Sequence, residues 1–258
     1  MIDSHCHLDF KDFNNNRLEI IENARVSGIH TFINIGADIE SSRGTAKLTD
    51  EHDFIYGTVG VHPHDAKKYD QNTEDEINRL LSKKKIVGVG EIGLDFYRDL
   101  SPRDIQKSVF RKQLDIAVEK DLPVVIHTRD SFDETLEIIK EYADSLPSGV
   151  FHCFPGSVDE AYKVIDLGFH IGIGGVVTFN KATMASVAKE IPLDHILLET
   201  DCPYLAPVPF RGKQNQPGYV KYVADKIAEL KNIKVAEVEK TTDRNCQKLF
   251  HLVETFGG

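Results

Sequence analysis

Two histidines lie one residue apart near the start of the chain, in the segment DSHCHLD at 3–9. Alternate side chains of a β-strand face the same side, so His5 and His7 would point together while Cys6 points away. Two converging imidazoles can bind a metal ion, although polar residues on a solvated strand end would give the same spacing. The rest of the chain has to decide between these two interpretations.

Further histidines and carboxylates follow later apolar runs. They are His62 in GVHPH, Glu91 in VGVGEIGLD, His127 in LPVVIHTRD, His152 in GVFHCF, and Glu199 and Asp201 in ILLETD. Each has a structural interpretation when taken alone: a polar strand end, a helix cap for Glu91, or a turn residue for Asp201. Together, the four imidazoles of His5, His7, His127 and His152 and the two carboxylates of Glu91 and Asp201 predict metal binding.

Six protein ligands exceed the three that a typical catalytic zinc retains. We therefore expect two divalent metal ions that share Glu91 and leave positions open for substrate. Imidazole ligands suit Zn²⁺ or Mn²⁺, whereas Mg²⁺ prefers oxygen, so the sequence leaves the ion open among Zn, Mn and Mg.

Eight short β-branched or apolar runs predict the strands that position these residues. They span 2–7, 30–35, 55–61, 85–91, 122–127, 149–153, 169–174 and 196–200. Each run is followed by a helical pattern, which predicts an α/β fold, a single-domain (β/α)₈ TIM barrel over 1–258. The carboxyl ends of barrel strands meet at one mouth, where the unusual polar residues would gather. An open doubly wound sheet is the alternative, but its first strand usually leads into a glycine-rich loop.

The segments between the strands carry helix signals. After the fourth strand we expect Ser101 as the N-cap, Pro102 at the first helical position, and an apolar stripe that begins with Ile105. Asp130 is expected to cap the next helix, and Val253 to belong to the apolar stripe of the last one.

Composition limits the classes of function. A net charge of −10 argues against a protein that coats DNA, though not against a phosphodiesterase. No apolar run approaches the length of a membrane span, and the start of the chain does not look like a signal peptide. The four cysteines show no CxxC spacing, so we expect small buried side chains and a reducing, cytoplasmic location. We also expect no membrane contact and a monomer without an obligate protein partner.

In these motifs the chain resembles the TatD family of metal-dependent deoxyribonucleases, within the wider amidohydrolase-like barrels. The matching segments are DSHCHLD (3–9), GVHPH (60–64), GEIGLDFYRD (90–99), HTRD (127–130), HCFPGS (152–157), ETDCPYLAP (199–207) and RGKQNQPGYV (211–220). The departures are Ser4 where threonine is usual, Cys202 where alanine is usual, and Gln216 where glutamate is expected.

The resemblance implies a two-metal site that hydrolyses DNA phosphodiester bonds at a strand end or at nicks. His5, His7 and Asp201 would hold one ion, His127 and His152 the other, Glu91 would be shared, and His62 would lie beside the substrate phosphate. Asp201 is the candidate general base. Glu199 would support a ligand or relay a proton, with a structural ion pair as the alternative. Arg98, Arg129, Lys181, Arg211 and Lys213 are candidates for a rim that binds the nucleic-acid backbone, with solvated surface charge as the alternative.

Two other functions stay open. The same metal-activated water can attack an ester, amide or lactone carbonyl, and a D-aminoacyl-tRNA deacylase is the named example. Many such barrels bridge their ions with a modified lysine at the end of strand four, where this chain has Glu91, which favours phosphoester chemistry. The third possibility is a non-catalytic metal-binding or nucleic-acid-binding protein.

Overall fold

Eight parallel strands form a single sheet, and their order in space follows their order in the chain. This is seen in a computed structural model that describes residues 1–252. The strands are β1 (Ile2–Cys6), β2 (Thr31–Ile35), β3 (Ile55–Val59), β4 (Ile86–Asp95), β5 (Val124–Arg129), β6 (Gly149–Phe151), β7 (His170–Ile173) and β8 (Ile196–Leu198). The predicted (β/α)₈ TIM barrel is confirmed.

The first and last strands meet at a seam that nearly closes the barrel. Cys6 at the end of β1 forms an isolated parallel bridge with Cys202, just beyond β8. The backbone N–H of Asp201 donates to the carbonyl of His5 at 2.9 Å, and that of His7 donates to the carbonyl of Cys202 at 2.9 Å. Residues from opposite ends of the chain are therefore hydrogen-bonded neighbours.

Helices follow the strands and cover the outside of the barrel. Those of the described residues are α1 (Arg17–Val26), α2 (Ile39–Glu51), α3 (Gln71–Leu81), α4 (Arg103–Lys120), α5 (Phe132–Glu141), α6 (Val158–Asp166), α7 (Thr183–Glu190), α8 (Val220–Lys231) and α9 (Val235–Leu249). Within residues 1–252, no helix combines the length and the apolar character that crossing a membrane requires.

The alternation of strand side chains produces two apolar layers. Phe32 packs into the cluster between sheet and helices, whereas Ile33 and Ile35 belong to a second cluster inside the barrel. That inner cluster also contains Ile2, Tyr56, Val87, Val125, Val150, Leu197, Cys246, Leu249 and Phe250. Its last three members come from α9 and the residue after it, so this helix closes the amino-terminal end of the barrel, which we call the floor.

The expected start of α4 is wrong by one residue. Pro102 is the N-cap, and the helix begins at Arg103. The Ser101 hydroxyl instead donates to the carbonyl of His64 at 2.8 Å and accepts from the N–H of Lys67 at 3.1 Å, so a tertiary contact uses the group that would have capped the helix. Ile105, expected on the buried stripe, is 37% exposed.

The structure also corrects two other local expectations. Ser131, not Asp130, is the N-cap of α5, and Asp130 adopts a left-handed conformation with φ of 52°. Strand β4 continues four residues past its predicted end, to Asp95. Val253 lies outside the described residues, and α9 ends at Leu249.

Candidate metal centre

The six predicted ligands gather at the carboxyl-terminal mouth of the barrel. His5 lies in β1 and His7 just beyond it, Glu91 lies in β4, His127 lies in β5, His152 follows β6 and Asp201 follows β8. Three overlapping groups have ligand atoms within 4.8 Å of one another: His5, His7 and Glu91; His5, His152 and Asp201; and His62, Glu91 and His127. Strand ends from across the chain therefore build one cluster.

The Glu91 carboxylate lies at the centre of this cluster and is 4% exposed. Its Oε1 is 3.0 Å from His127 Nδ1 and 3.0 Å from His152 Nε2. Its Oε2 faces the other pair of histidines, at 3.7 Å from His5 Nε2 and 3.8 Å from His7 Nε2. The two oxygens of one side chain thus face two separate sets of imidazoles.

Asp201 completes the second of these sets. Its Oδ1 lies 3.4 Å from His7 Nε2 and 3.6 Å from His5 Nε2. The two Nε2 atoms of the histidines are themselves only 3.2 Å apart. Asp201 is held in a left-handed conformation, with φ of 56°, by the backbone contacts across the seam. Three side chains therefore converge from both sides of the junction between the first and last strands.

Two hydrogen bonds fix which nitrogen of a ring faces the cluster. The carbonyl of Ile35 can only accept, so His7 donates to it from Nδ1 at 2.9 Å, and in the neutral ring the lone pair of Nε2 points inward. The carboxylate of Asp95 accepts from His127 Nε2 at 3.1 Å, so in the neutral ring the Nδ1 lone pair faces Glu91. Such outer partners orient imidazoles for metal binding.

His62 is held in the opposite sense. Its Nδ1 accepts the backbone N–H of His64 at 3.1 Å, so the proton of the neutral ring is on Nε2, which lies 3.6 Å from Glu91 Oε1. Burial and the nearby charge of His127 hold the pKa of His62 well below its ordinary value. The ring is therefore a neutral hydrogen-bond donor to the cluster, as a contact to a phosphate oxygen requires.

The carboxylates of the cluster favour positive charge on the groups next to them. Burial opposes charge on His7, but its hydrogen bond to Asp201 and the charge of Glu91 raise the pKa of His7 to about 9. Burial likewise opposes charge on His152, and the charge of Glu91 raises its pKa well above the ordinary value. Despite burial, the charge of His152 and its hydrogen bond to Glu91 hold the pKa of Glu91 well below its ordinary range. Divalent cations would supply this positive charge, so the residues present fit a metal centre.

Glu199 lies outside the cluster, behind His152. It is fully buried, its Oε1 accepts the N–H of Cys153 at 2.6 Å, and the same oxygen is 3.6 Å from His152 Nδ1. Glu91 contacts the Nε2 side of that ring, so the two carboxylates face its two nitrogens. A Cβ at Gly172 would collide with Oε2 of Glu199, which explains the glycine at that position. The placement suits a residue that positions His152.

The sequence reasoning missed Asp95 as a site residue. Asp95 is fully buried, and its Oδ2 contacts both His127 Nε2 at 3.1 Å and His64 Nε2 at 2.9 Å. Although burial opposes its charge, hydrogen bonds from His127 and His64 hold the pKa of Asp95 well below the ordinary value. A signal was present: residue 95 lies on the same strand as Glu91, an even number of positions further on.

The five basic rim residues are all exposed. The Arg129 guanidinium lies 3.9 Å from the centre of the Tyr97 ring, and that of Arg211 lies 4.4 Å from the Phe179 ring. Lys213 Nζ is 6.0 Å from the Phe210 ring. Lys181 and Arg98 lie in loops after β7 and β4, respectively. A role for these residues in substrate binding stays a prediction.

Comparison with known proteins extends over almost the whole chain. Residues 2–251 match the protein family described as TatD related DNase. The metal-dependent hydrolase YabD of Bacillus subtilis is 40% identical over 98% of this chain and 99% of its own. A protein of Rahnella named 3'-5' ssDNA/RNA exonuclease TatD is 34% identical over 98% of both chains.

A solved structure shows the same similarity in three dimensions. The crystal structure of YJJV, a TatD homologue from Escherichia coli, superimposes with a TM-score of 0.92 at 30% sequence identity. The match covers 98% of each chain. The two chains therefore share the barrel fold over almost their whole length.

Proposed function

Since the chain belongs to the family of TatD related DNases and is a metal-dependent hydrolase, we propose that it removes nucleotides from the ends of DNA strands by hydrolysing phosphodiester bonds. The central support is the position of the Glu91 carboxylate, with Oε1 facing His127 and His152 and Oε2 facing His5 and His7. A carboxylate shared between two ligand sets suits two divalent ions held a few ångströms apart. The name of the Rahnella relative supports a single-stranded nucleic acid as substrate and an exonucleolytic mode.

The proposed ligand sets follow the distances in the cluster. His5, His7 and Asp201 would hold one ion, and His127 and His152 the other, with Glu91 between them. Two bound divalent cations would neutralise the phosphoryl oxygens and lower the pKa of the attacking water. Zn²⁺ and Mn²⁺ suit the four imidazoles, and the carboxylates leave Mg²⁺ as the third candidate.

The chain's own residues have separate tasks in this proposal. Asp201, with Oδ1 within 3.4 Å of His7 Nε2, accepts the proton of the attacking water. His62 presents its Nε2 proton to a phosphate oxygen or to the leaving group, since its Nδ1 is occupied by the N–H of His64. Glu199 holds His152 in place from behind.

The test combines elemental analysis with a nuclease assay on one metal-loaded preparation. We expect about two divalent ions per chain, release of mononucleotides from end-labelled single-stranded DNA, and loss of activity with a chelator. The matched control is Asp201→Asn, which keeps the shape of the side chain but removes its basic oxygen, and it should lose hydrolysis while the protein stays folded.

A D-aminoacyl-tRNA substrate in the same assay separates ester from phosphodiester hydrolysis. Activity on that substrate alone would overturn the proposal in favour of a deacylase. DNA that is bound stoichiometrically but left uncut at high protein concentration would instead support a binding protein. The expected cytoplasmic location and monomeric state stay predictions, which cell fractionation and sedimentation can test.

A further inference from the structure

An exposed tyrosine stands beside the candidate metal centre. Tyr97 follows β4 in the chain and is 59% exposed. The guanidinium of Arg129 covers one face of its ring, 3.9 Å from the ring centre. Because so much of the side chain is exposed, the other face of the ring is open to solvent. A planar group with a cation behind it is thus presented at the mouth.

The register of the sheet places this pair one step above a metal-binding histidine. In the β4–β5 ladder, Gly93 is opposite His127 and Asp95 is opposite Arg129. Arg129 and His127 are two residues apart on the same strand, so their side chains face the same way, about 7 Å apart along β5. A ligand with one end at the metal cluster can therefore reach Tyr97 with the next planar group.

The carboxylate of Asp95 holds both the loop that carries Tyr97 and the ring of His127. Asp95 Oδ1 accepts the backbone N–H groups of Tyr97 at 3.0 Å and Arg98 at 2.7 Å. Its other oxygen, Oδ2, accepts from His127 Nε2 at 3.1 Å. The loop that carries Tyr97 is thus held at a set position relative to the cluster, so a stacking group would not have to order it.

The charge of Arg129 is available to a ligand. Within the part of the chain that the structure describes, its guanidinium makes no hydrogen bond or ion pair, and it packs against the Tyr97 ring. Arg103 offers a contrast: it covers the ring of Phe96 at 4.4 Å, but Asp99 neutralises it at 3.2 Å. An unneutralised cation at the mouth of a chain with net charge −10 indicates an anionic ligand.

From this geometry we infer that Tyr97 and Arg129 form a subsite that stacks one unpaired nucleobase next to the phosphodiester bond to be cut. The inference rests on the proposed nuclease function and names how the strand is held. Tyr97 supplies the stacking face, and Arg129 contacts the neighbouring phosphate. A base within a duplex has both faces covered by its neighbours, so the subsite selects single strands or frayed ends.

The test is a scan of abasic positions with the metal-loaded protein. Single-stranded oligonucleotides each lack one base, at successive positions from the cleaved end. In the wild-type protein, we expect the loss of one particular base to raise KM by about tenfold. Tyr97→Ala should raise KM for the intact oligonucleotide by about the same factor, with kcat within about twofold, and should be insensitive to the loss of that base. Tyr97→Phe should behave like the wild type, because stacking needs only the ring.

The control is Tyr162→Ala, which removes a 41% exposed tyrosine on α6 and should change neither parameter. A Tyr97→Ala variant that keeps full sensitivity to every abasic position would overturn the inference. So would a Tyr97→Phe variant as impaired as Tyr97→Ala, since the hydroxyl would then be the important group.

A binding experiment keeps the inference separate from the nuclease proposal. If the metal-loaded wild-type protein leaves the intact oligonucleotide uncut, the nuclease proposal fails, and the fluorescence of 2-aminopurine in the same oligonucleotide then reports stacking directly. Quenching on binding that is lost in Tyr97→Ala supports the subsite. Equal quenching in both proteins overturns it.

Discussion

The two ends of the barrel use the same residue type in opposite ways. At the mouth, His7 faces Asp201 and Glu91, and these carboxylates raise its pKa to about 9 in spite of burial. At the floor, His170 begins β7 beside His195, with ring centres 6.2 Å apart, and burial together with the charge of His195 lowers its pKa to about 4. The same strands thus connect a mouth where carboxylates favour a charged histidine with a floor where burial disfavours one.

The difference teaches which end carries stability. The floor is sealed by α9, where Asn245 Nδ2 donates to the carbonyls of Leu193 and Ile196, each at 2.9 Å, and Asp243 Oδ1 accepts the N–H of Ile2 at 2.7 Å. At the mouth, by contrast, four histidine rings surround the buried Glu91 carboxylate, with ring nitrogens 3.0 to 3.8 Å from its oxygens. Buried charged groups cost stability unless they are paired, so the mouth gives up some stability for a cluster whose charge divalent cations would balance.

The largest effect is expected for Glu91→Ala at the mouth. Removing the carboxylate between the two ligand sets should lower kcat/KM by at least about 10³-fold, or about 4 kcal/mol of transition-state stabilisation. Circular dichroism should still show a folded barrel, because the floor is untouched. Turnover of the variant at the wild-type rate would contradict the assignment of the chemistry to the mouth of the barrel.

The reverse experiment removes a large side chain at the floor. Phe250 is 1% exposed and belongs to the cluster inside the barrel. Phe250→Ala should lower the free energy of unfolding by about 3 kcal/mol through loss of burial and the cavity left behind. Denaturant titration measures that loss, and kcat at 25 °C should stay within about twofold. A fall in kcat matching that of Glu91→Ala would show that the two ends are coupled.

Asp95→Asn probes the support of the mouth. The amide cannot offer carboxylate oxygens both to His127 and to the backbone of the following loop, so we expect metal affinity to fall by about 10- to 100-fold. Competitive titration with a metal buffer measures it. Asp99→Asn is the matched control, since this carboxylate lies in the same loop but pairs with Arg103 at the surface. Equal affinity in both variants would contradict the positioning role.

The smallest effect concerns the pH dependence of stability at the floor. The unfolded chain protonates His170 near pH 6.5, whereas the folded protein does so only near pH 4, so the free energy of unfolding falls as pH is lowered between these values. His170→Gln should remove about 1 to 2 kcal/mol of the loss between pH 7.5 and pH 5. Parallel denaturant curves for both proteins across this range check it. If the difference in unfolding free energy between the two proteins does not change with pH, His170 titrates normally.

The sequence predicted the ligand cluster at the mouth better than the residues that hold the ligands in place. Strand parity places His5 and His7 on one side, and the ends of parallel strands must meet at one end of a closed barrel, so the ligand cluster followed from local patterns. Asp95 was missed because strand β4 was ended at residue 91, whereas its pairing with β5 continues to Asp95 and Arg129. That extension depends on a register between strands, which neither segment specifies alone.

The predicted helix caps were wrong for a related reason. Ser101 has the residue type and position of an N-cap, yet its hydroxyl joins the carbonyl of His64 and the N–H of Lys67 in the loop after β3. Local propensity gives way when a tertiary partner competes for the same hydrogen bond. The pairing of Arg129 with Tyr97 likewise joins the end of β5 to the loop after β4, and no sequence spacing indicates it.

The seam between β1 and the segment after β8 has a consequence for how the protein is made. His5 leaves the ribosome early, and Asp201 is synthesised about 10 to 40 s later at usual translation rates. Until then β1 has a free edge, and His5 and His7 lack Asp201. The candidate metal centre is therefore completed late in synthesis of the chain. A truncated translation product that ends before Asp201 would keep the histidines but lack a complete ligand set.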